Sequence, residues 1–504
     1  MIIVAFGDSV TKGLSSPDLR ESNRWTSILE RILRDWMGRD VRVVNSGVGG
    51  DTASQALKRI EEDVLKYTPD LTLVMFGLND ARKESVGKYE EATRRIIHIL
   101  KEHDIDVILM TPNPATERYK NPKMSPEEIM AFRRDVREIA ERARKIANEG
   151  KIVLIDIFRL FEENRFLWDT ICDGAHPSLK AQGIMASYIA KGILEHWGIH
   201  GFPEINILGI KKVYGEGLHN AFTDIERFNR RYYIVFRHGE NHVRYDREPI
   251  DYGKIYLIKS LDLEDWRLKK VFSMKGWDLR DPKIVGFKGR LFLYIASTKP
   301  SSPPPEPYEF GKAVKERVTF CFHSDDGENW EGPVKCGDGI FWRPLRLGDR
   351  MQVVRYIRRG KYGDPNSWQI DLMESEDGLK WRLLKTLYKG DKVNETALVR
   401  VDKHLFAFAR RRWNMRMLKL EQIDSEENQW RHMPLDRIIQ GPDAVEVDGR
   451  IIVMGRFFTV EGEEGWEENF WEMNKYDVIR TGCFLIEEDK AKLIFEFPSG
   501  GDCS

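Results

Sequence analysis

The chain is poor in several things that would otherwise classify it. Five cysteines in 504 residues, Cys172, Cys321, Cys336, Cys483 and Cys503, are too few and too scattered for a disulfide framework, and none forms the C-x-x-C pair that suits zinc. The expectation is a reduced interior with no metal and no cofactor. No apolar run approaches the length needed to span a bilayer, so no membrane-embedded fold is expected. Net charge is nearly absent: 80 Lys and Arg against 81 Asp and Glu give −1, which leaves no global field to hold a polyanion. Nucleic acid is therefore not an expected partner. Residue 1 leads directly into the apolar run 2–6 with no basic stretch and no long apolar segment before it, so a cytoplasmic protein without a signal peptide is expected.

What is present is enough apolar material for large cores, 41% of residues, in a chain longer than one core usually serves. Two halves differ in period. From 1 to 198, short apolar runs at 2–6, 41–45, 71–76, 106–110 and 152–155 alternate with segments of helical period, which predicts a doubly wound α/β domain with a five-stranded parallel sheet. One helix carries Trp25, Ile28, Leu29, Ile32, Leu33 and Trp36 on a single stripe, and others fit 53–65, 89–102, 126–147 and 179–197. Ligands of such sheets sit beyond the carboxyl ends of the strands, so chemistry is expected in the loops that follow them.

After a linker at 199–218 the helical period stops, and from 219 to 504 strand-like runs separated by Gly, Asp and Asn turns take over. A polar turn closed by tryptophan recurs: Ser260 to Trp266, Ser324 to Trp330, Ser375 to Trp381, and a degraded copy from Asp424 to Trp430. The spacing, about fifty residues, suits four-stranded propeller blades, and five pairs of strand runs predict five blades. A β-sandwich with accidental turns is the plainer alternative, and packing is the plainer role for the tryptophans.

The strand ends of the first half carry Gly7-Asp8-Ser9, then Asn45 through Thr52 with Gly47, Gly49 and Gly50, then Gly77-Leu78-Asn79-Asp80, and finally Asp173-Gly174-Ala175-His176-Pro177. A serine hydroxyl becomes a nucleophile when an imidazole takes its proton and a carboxylate fixes that imidazole. Ser9, His176 and Asp173 are the types required, and a spacing of three lets Asp173 reach His176 within one loop. The four blocks, in this order, resemble the SGNH (GDSL-type) hydrolase superfamily across 1–198, although Val10 stands where the motif often has leucine. The resemblance implies a catalytic Ser9, Asp173 and His176, and an oxyanion hole made by the Ser9 and Gly50 amides and the Asn79 side chain. Each block also has a plainer role: Asp8-Ser9 as a helix cap, the glycines and Asn79-Asp80 as turns, His176 as a surface histidine. Asp51 and Asp80 are read as structural, and Cys172 as an inert thiol.

In the second half the first strand's start and the second strand's end of each blade share a face. That rule gathers Asp224, Asp281, Glu395 and Asp443 with Arg237, Arg355, Arg410 and Arg456 at the mouth of a central channel. The pattern resembles five-bladed glycosidases and, in its turns, sialidases; Arg280-Asp281-Pro282 is similar to a motif of invertase-type enzymes. Three roles stay open: mutual charge pairing, sugar binding with arginines clamping an acidic sugar, and glycoside hydrolysis by two carboxyls. Segments 299–311 and 461–477, with Trp466, Phe470 and Trp471, are expected to wall that face.

These readings combine into a two-domain enzyme, a serine carboxylic-ester hydrolase that removes short acyl groups from a glycan ester or small-molecule ester while the propeller recognises glycan. A bifunctional esterase and glycosidase is the rival, as is a lipase or thioesterase whose propeller only docks or oligomerises. The sequence does not indicate an oligomeric state.

Overall fold

The computed structural model describes residues 1–13, 19–38, 40–242, 245, 252–301, 313–361, 364–412, 415–424, 429–461 and 478–497. It divides into two compact units, Met1–Lys211 with Glu472–Gly482 and Lys492–Ser499, and Lys212–Trp471 with Cys483–Ala491 and Gly500–Ser504. The division falls inside the segment read as a linker, and two late segments join the first unit, which a linear reading of the halves does not foresee.

In the first unit the five apolar runs become β1 (Ile2–Gly7), β2 (Arg42–Gly47), β3 (Leu71–Met75), β4 (Asp106–Met110) and β5 (Val153–Ile155), all parallel in the order β2-β1-β3-β4-β5. The helices are α1 (Ser9–Lys12), α2 (Trp25–Met37), α3 (Ala53–Ala56), α4 (Ile60–Asp63), α5 (Leu78–Lys83), α6 (Val86–Glu102), α7 (Pro126–Gly150), α8 (Ile157–Glu163) and α9 (Leu179–His196). The stripe of α2 is buried as its period requires, and α2 packs on α9. On the sheet, Val4, Phe6, Val74 and Leu109 join Ile96, Leu100, Ile139 and Ile146 of α6 and α7 in one core. Because β1 lies between β2 and β3, the chain leaves it in opposite directions around the sheet, and the crevice at that switch opens at the ends of β1, β2 and β3.

Two local expectations change. The helix read over 53–65 breaks into α3, a 3₁₀ turn at Leu57–Arg59 and α4. Arg59, at the break, donates to the carbonyls of Gly7 and Ser46 at 3.0 Å each and pairs with Asp51 and Asp63, tying the ends of β1 and β2 together. The block read as a loop at 77–80 instead opens helix α5.

From His219 onward the chain forms five antiparallel sheets in a propeller arrangement. Four are four-stranded, beginning at His219–Phe228, Asp278–Phe287, Thr396–Val401 and Gln440–Val447; the sheet between the second and fourth is built on Arg350–Arg358, with its leading strand split into Ile340–Phe341 and Leu345–Leu347. The recurring turns are self-bonded: Asp326 Oδ1 accepts the amides of Glu328 and Asn329 at 2.7 and 2.8 Å, and Asp377 Oδ1 those of Leu379 and Lys380 at 2.8 Å each. Their tryptophans pack: Trp330 lies edge-on to Phe272 at 5.4 Å, and Trp381 against Phe341 at 5.1 Å. Much of the fourth turn, at 425–428, and of the two wall segments, 302–311 and 462–477 with Trp466, Phe470 and Trp471, lies outside the described residues, as does Cys503.

Candidate active site

The site begins with the short step from β1 into α1. Asp8 caps the helix, its Oδ1 accepting the Val10 amide at 2.9 Å, which makes Ser9 the first helical residue. First-turn amides, that of Ser9 among them, have no acceptor within their own helix. The second block is pressed against this helix. A Cβ on Gly47 would stand 2.2 Å from the Lys12 nitrogen, so only glycine lets the end of β2 approach α1 this closely. Three residues on, Gly50 takes φ +87, a left-handed conformation, with the Lys83 ammonium hydrogen-bonded to its carbonyl.

From β3 comes Asn79, in the first turn of α5 and 6% exposed. Its Oδ1 accepts from Arg82 at 3.3 Å, and its Nδ2 donates to Asp8 Oδ2 through a long contact of 3.4 Å. Arginine only donates and an ionised carboxylate only accepts, so the two neighbours fix which end of the amide points where. Asp80, next in sequence, receives the Ala53 amide at 2.9 Å and ties α5 to α3. Burial pushes its carboxyl up to about 7, and that of Asp8 to about 6.

The histidine loop is held from outside. Asn113 donates to the Ala175 carbonyl at 2.7 Å, the Thr116 amide donates to the Gly174 carbonyl at 2.7 Å, and the Cys172 amide donates to the His176 carbonyl at 3.0 Å. Within the loop Asp173 Oδ1 accepts the amides of Ala175 and His176 at 2.9 and 2.7 Å, leaving Oδ2 for His176 Nδ1 at 2.6 Å. Ser9 Oγ lies 2.8 Å from His176 Nε2. An ionised Asp173 can only accept, so Nδ1 carries the proton and Nε2 accepts from the serine hydroxyl.

Electrostatics agree with that direction. Burial acts to raise the Asp173 carboxyl, but the His176 bond and charge and the two loop amides outweigh it and hold it at about 2. Burial likewise acts to lower His176, yet Asp173 and then Asp8 hold it above the ordinary histidine value. Burial, and after it the Asp173 charge, raise the Cys172 thiol above its ordinary value. Sequence reasoning missed Arg82, Asn113 and Thr116, which no motif marks.

In the propeller the predicted side chains are distributed differently. The fully buried Arg237 is committed to Asp278 at 3.1 Å, an aspartate that also receives the Tyr245 hydroxyl and the Gly253 amide. Arg355 is committed to the buried Asp371 at 2.6 Å. These two guanidiniums bond inside the protein rather than standing open to a ligand, a correction to the clamp reading. Arg410 holds Glu395 through both carboxylate oxygens at 2.6 and 2.7 Å, and Arg456 lies opposite Gln440 in the fifth sheet. Asp224 and Asp443 meet at an arginine the sequence reading passed over, Arg343, at 2.7 and 3.2 Å, while Asp281 lies 3.6 Å from Arg280. Register slips occur at Ala221/Asp224, Arg280/Lys283 and Gln440/Asp443, so three of the four carboxylates sit at bulges that turn their side chains. Beside them Lys283 is fully buried over the Trp342 ring at 4.5 Å, and burial lowers its ammonium to about 8. Among the described residues no group of three or more His, Cys, Asp or Glu is placed to hold a metal ion.

Residues 5–184 match the GDSL-like Lipase/Acylhydrolase family. The uncharacterized lipoprotein YqeF of Bacillus subtilis (strain 168) is 35% identical over 125 residues, 23% of this chain and 49% of that protein. The chain thus spans about half the length of that relative. An arylesterase of Vibrio mimicus is 26% identical over 200 residues, 38% of this chain and 88% of its own, and an acetylxylan esterase of Geobacillus stearothermophilus is 25% identical over 168, 31% and 74%. Among solved structures, the lipase/acylhydrolase from Enterococcus faecalis is 27% identical with a TM-score of 0.33, covering 39% of this chain and 96% of that one. The parallel sheet with its four strand-end blocks is a GDSL-type (SGNH) hydrolase domain.

Proposed function

We propose that the chain hydrolyses carboxylic esters, with Ser9 as nucleophile, His176 as general base and then general acid, and Asp173 holding the imidazole. The observation that carries this reading is the line from Ser9 Oγ to His176 Nε2 at 2.8 Å and from His176 Nδ1 to Asp173 Oδ2 at 2.6 Å. His176 takes the hydroxyl proton as Ser9 Oγ attacks the ester carbon. The tetrahedral oxyanion is met by the Ser9 and Gly50 amides and Asn79 Nδ2, and collapse expels the alcohol with the proton from His176. Water then repeats the sequence on the acyl-enzyme.

The substrate we propose is a short acyl ester, acetyl in the first instance, on a carbohydrate. Two relatives named as an arylesterase and an acetylxylan esterase support it, and no long apolar insertion at the strand-end loops offers the lining of an acyl tunnel. The propeller is proposed to recognise the glycan. The test is the full-length Ser9→Ala protein against p-nitrophenyl acetate and acetylated xylo-oligosaccharides. Loss of turnover on both, with circular dichroism unchanged, is expected. Retained hydrolysis of p-nitrophenyl acetate overturns the serine mechanism, and hydrolysis of that ester alone by the unaltered chain overturns the carbohydrate assignment.

A further inference from the structure

A carboxamide serves as an oxyanion donor only in one of its two orientations, because its ends are nearly the same size and one of them accepts. Turned with Oδ1 toward the hole, Asn79 would offer a developing oxyanion a lone pair and repel it. Turned the other way, Nδ2 carries two hydrogens, one for a protein partner and one for the oxyanion. Asn79 is 6% exposed in the first turn of α5, and its Nδ2 lies 3.4 Å from Asp8 Oδ2. That single long contact is a pivot rather than a clamp. Burial, which pushes the Asp8 carboxyl up to about 6, weakens it further on the acid side, since a protonated carboxyl donates as well as accepts.

The other end of the amide is taken by a residue outside the four strand-end blocks. Arg82 stands three positions on, one turn along the same helix, and its Nη2 donates to Asn79 Oδ1 at 3.3 Å. A guanidinium has no lone pair to offer and keeps its charge across the working pH range, so Oδ1 is fixed as the acceptor end. Held at both ends, the planar amide keeps its plane, and with it the direction of the second Nδ2 hydrogen. Donation to Oδ1 also polarises the amide and strengthens its N–H as a donor, as in any chain of hydrogen bonds. The same guanidinium faces the reacting centre: after burial, it is the group that acts to lower His176, against Asp173 and Asp8.

We propose that Arg82 is a positioning residue of the oxyanion hole, which holds the Asn79 carboxamide with Nδ2 presented to the oxyanion and acts on the chemical step through that amide. The inference rests on the ester-hydrolase reading and adds to it a residue that never touches substrate.

Initial rates of the full-length chain on p-nitrophenyl acetate test it, taken on each protein's pH plateau so that a shift of His176 does not enter. The variants are Arg82→Met, Arg82→Lys, Asn79→Ala and the double variant carrying Arg82→Met with Asn79→Ala; position 82 is exposed and accommodates either side chain. Arg82→Met is expected to lower kcat about tenfold, less than the 10²–10³ typical of a donor removed outright, with KM within about twofold. Arg82→Lys, which keeps the charge and a donor, is expected to recover kcat to within about threefold of the unaltered chain. In the Asn79→Ala background Arg82→Met is expected to change kcat by less than about twofold, because no amide is left to position. An unchanged kcat in Arg82→Met, a rise in KM in place of the kcat loss, an Arg82→Lys protein no better than Arg82→Met, or the same loss in the absence of Asn79 overturns the proposal. Turnover that vanishes in Ser9→Ala but is indifferent to Arg82→Met overturns this role alone, whereas turnover retained in Ser9→Ala overturns the ester-hydrolase reading and this role with it.

Discussion

Replacing Asp173 with Asn tests the catalytic line at its most constrained point. Oδ1 of Asp173 accepts two loop amides, from Ala175 and His176, while Oδ2 accepts from His176 Nδ1. An asparagine has one oxygen and one NH₂ for these two places. Keeping its oxygen on the two amides, which can only donate, turns its NH₂ toward Nδ1 and makes that nitrogen an acceptor. The imidazole proton then sits on Nε2, facing Ser9, where a base is needed. The same inversion of tautomer in a Ser-His-Asp hydrolase lowers kcat by about 10⁴, roughly 5 kcal/mol of barrier, with KM little changed. A second signature separates this from a loosened loop. In the unaltered protein the rise of kcat/KM with pH follows deprotonation of His176 in the free enzyme, and Asp173 and Asp8 hold that group above 6.5. Without the Asp173 charge, burial is opposed mainly by Asp8, so the acid limb is expected to move to lower pH. Initial rates on p-nitrophenyl acetate between pH 5 and 9 read both effects. A loss of less than tenfold, or a limb that stays in place, refutes the role given to Asp173.

Asn79→Ala removes the side chain proposed as an oxyanion donor and is expected to lower kcat by about 10²–10³ with KM nearly constant; a change within threefold speaks against that donor. A series of p-nitrophenyl esters from acetate to octanoate is expected to give falling kcat/KM, and a rising series favours a lipase or thioesterase. Asp80 is fully buried, and folding raises its carboxyl from 3.8 to about 7, so it favours the neutral acid. The stability lost by ionising it sets in between those two values and is complete above the upper one, on the order of 4 kcal/mol. Asp80→Asn is therefore expected to raise Tm relative to the unaltered chain by more at pH 8 than at pH 5, and a gap independent of pH contradicts this.

The strand-end blocks were legible because their chemistry is local. Gly47 and Gly50 act through backbone position, Asp8 caps the helix it precedes, and Asp173 reaches His176 across three residues, so motif and role lie in one stretch of sequence. The five blades were legible for a related reason, since their turns bond to themselves. What the sequence concealed depends on partners distant along the chain. Arg59 breaks the helix expected at 53–65 where it reaches carbonyls on two strands, and Asn113 holds the histidine loop from 62 positions away. The propeller arginines were placed on the right strands, but strand register does not reveal that Asp278 and Asp371 stand within reach of two of them. Arg343 stands at the start of its blade's first strand run, 343–347, where the other blades carry a carboxylate, and a pattern of acids at that position passes over a base.

Charge is used in opposite ways in the two units, and this argues for a division of labour. In the hydrolase domain Asp173 and Asp8 both act on one imidazole, which sharpens its basicity beside an otherwise uncharged serine. In the propeller the four predicted carboxylates each have a nearby arginine: Arg343 serves Asp224 and Asp443, Arg280 lies beside Asp281, and Arg410 holds Glu395. Glycoside hydrolysis needs two carboxyl groups open to one glycosidic bond, and Asp224, Asp443 and Glu395 are instead engaged by arginines of the cluster. Burial raises the carboxyl of Asp281. One such group beside carboxylates already held by arginine does not make the acid and base pair of glycoside hydrolysis.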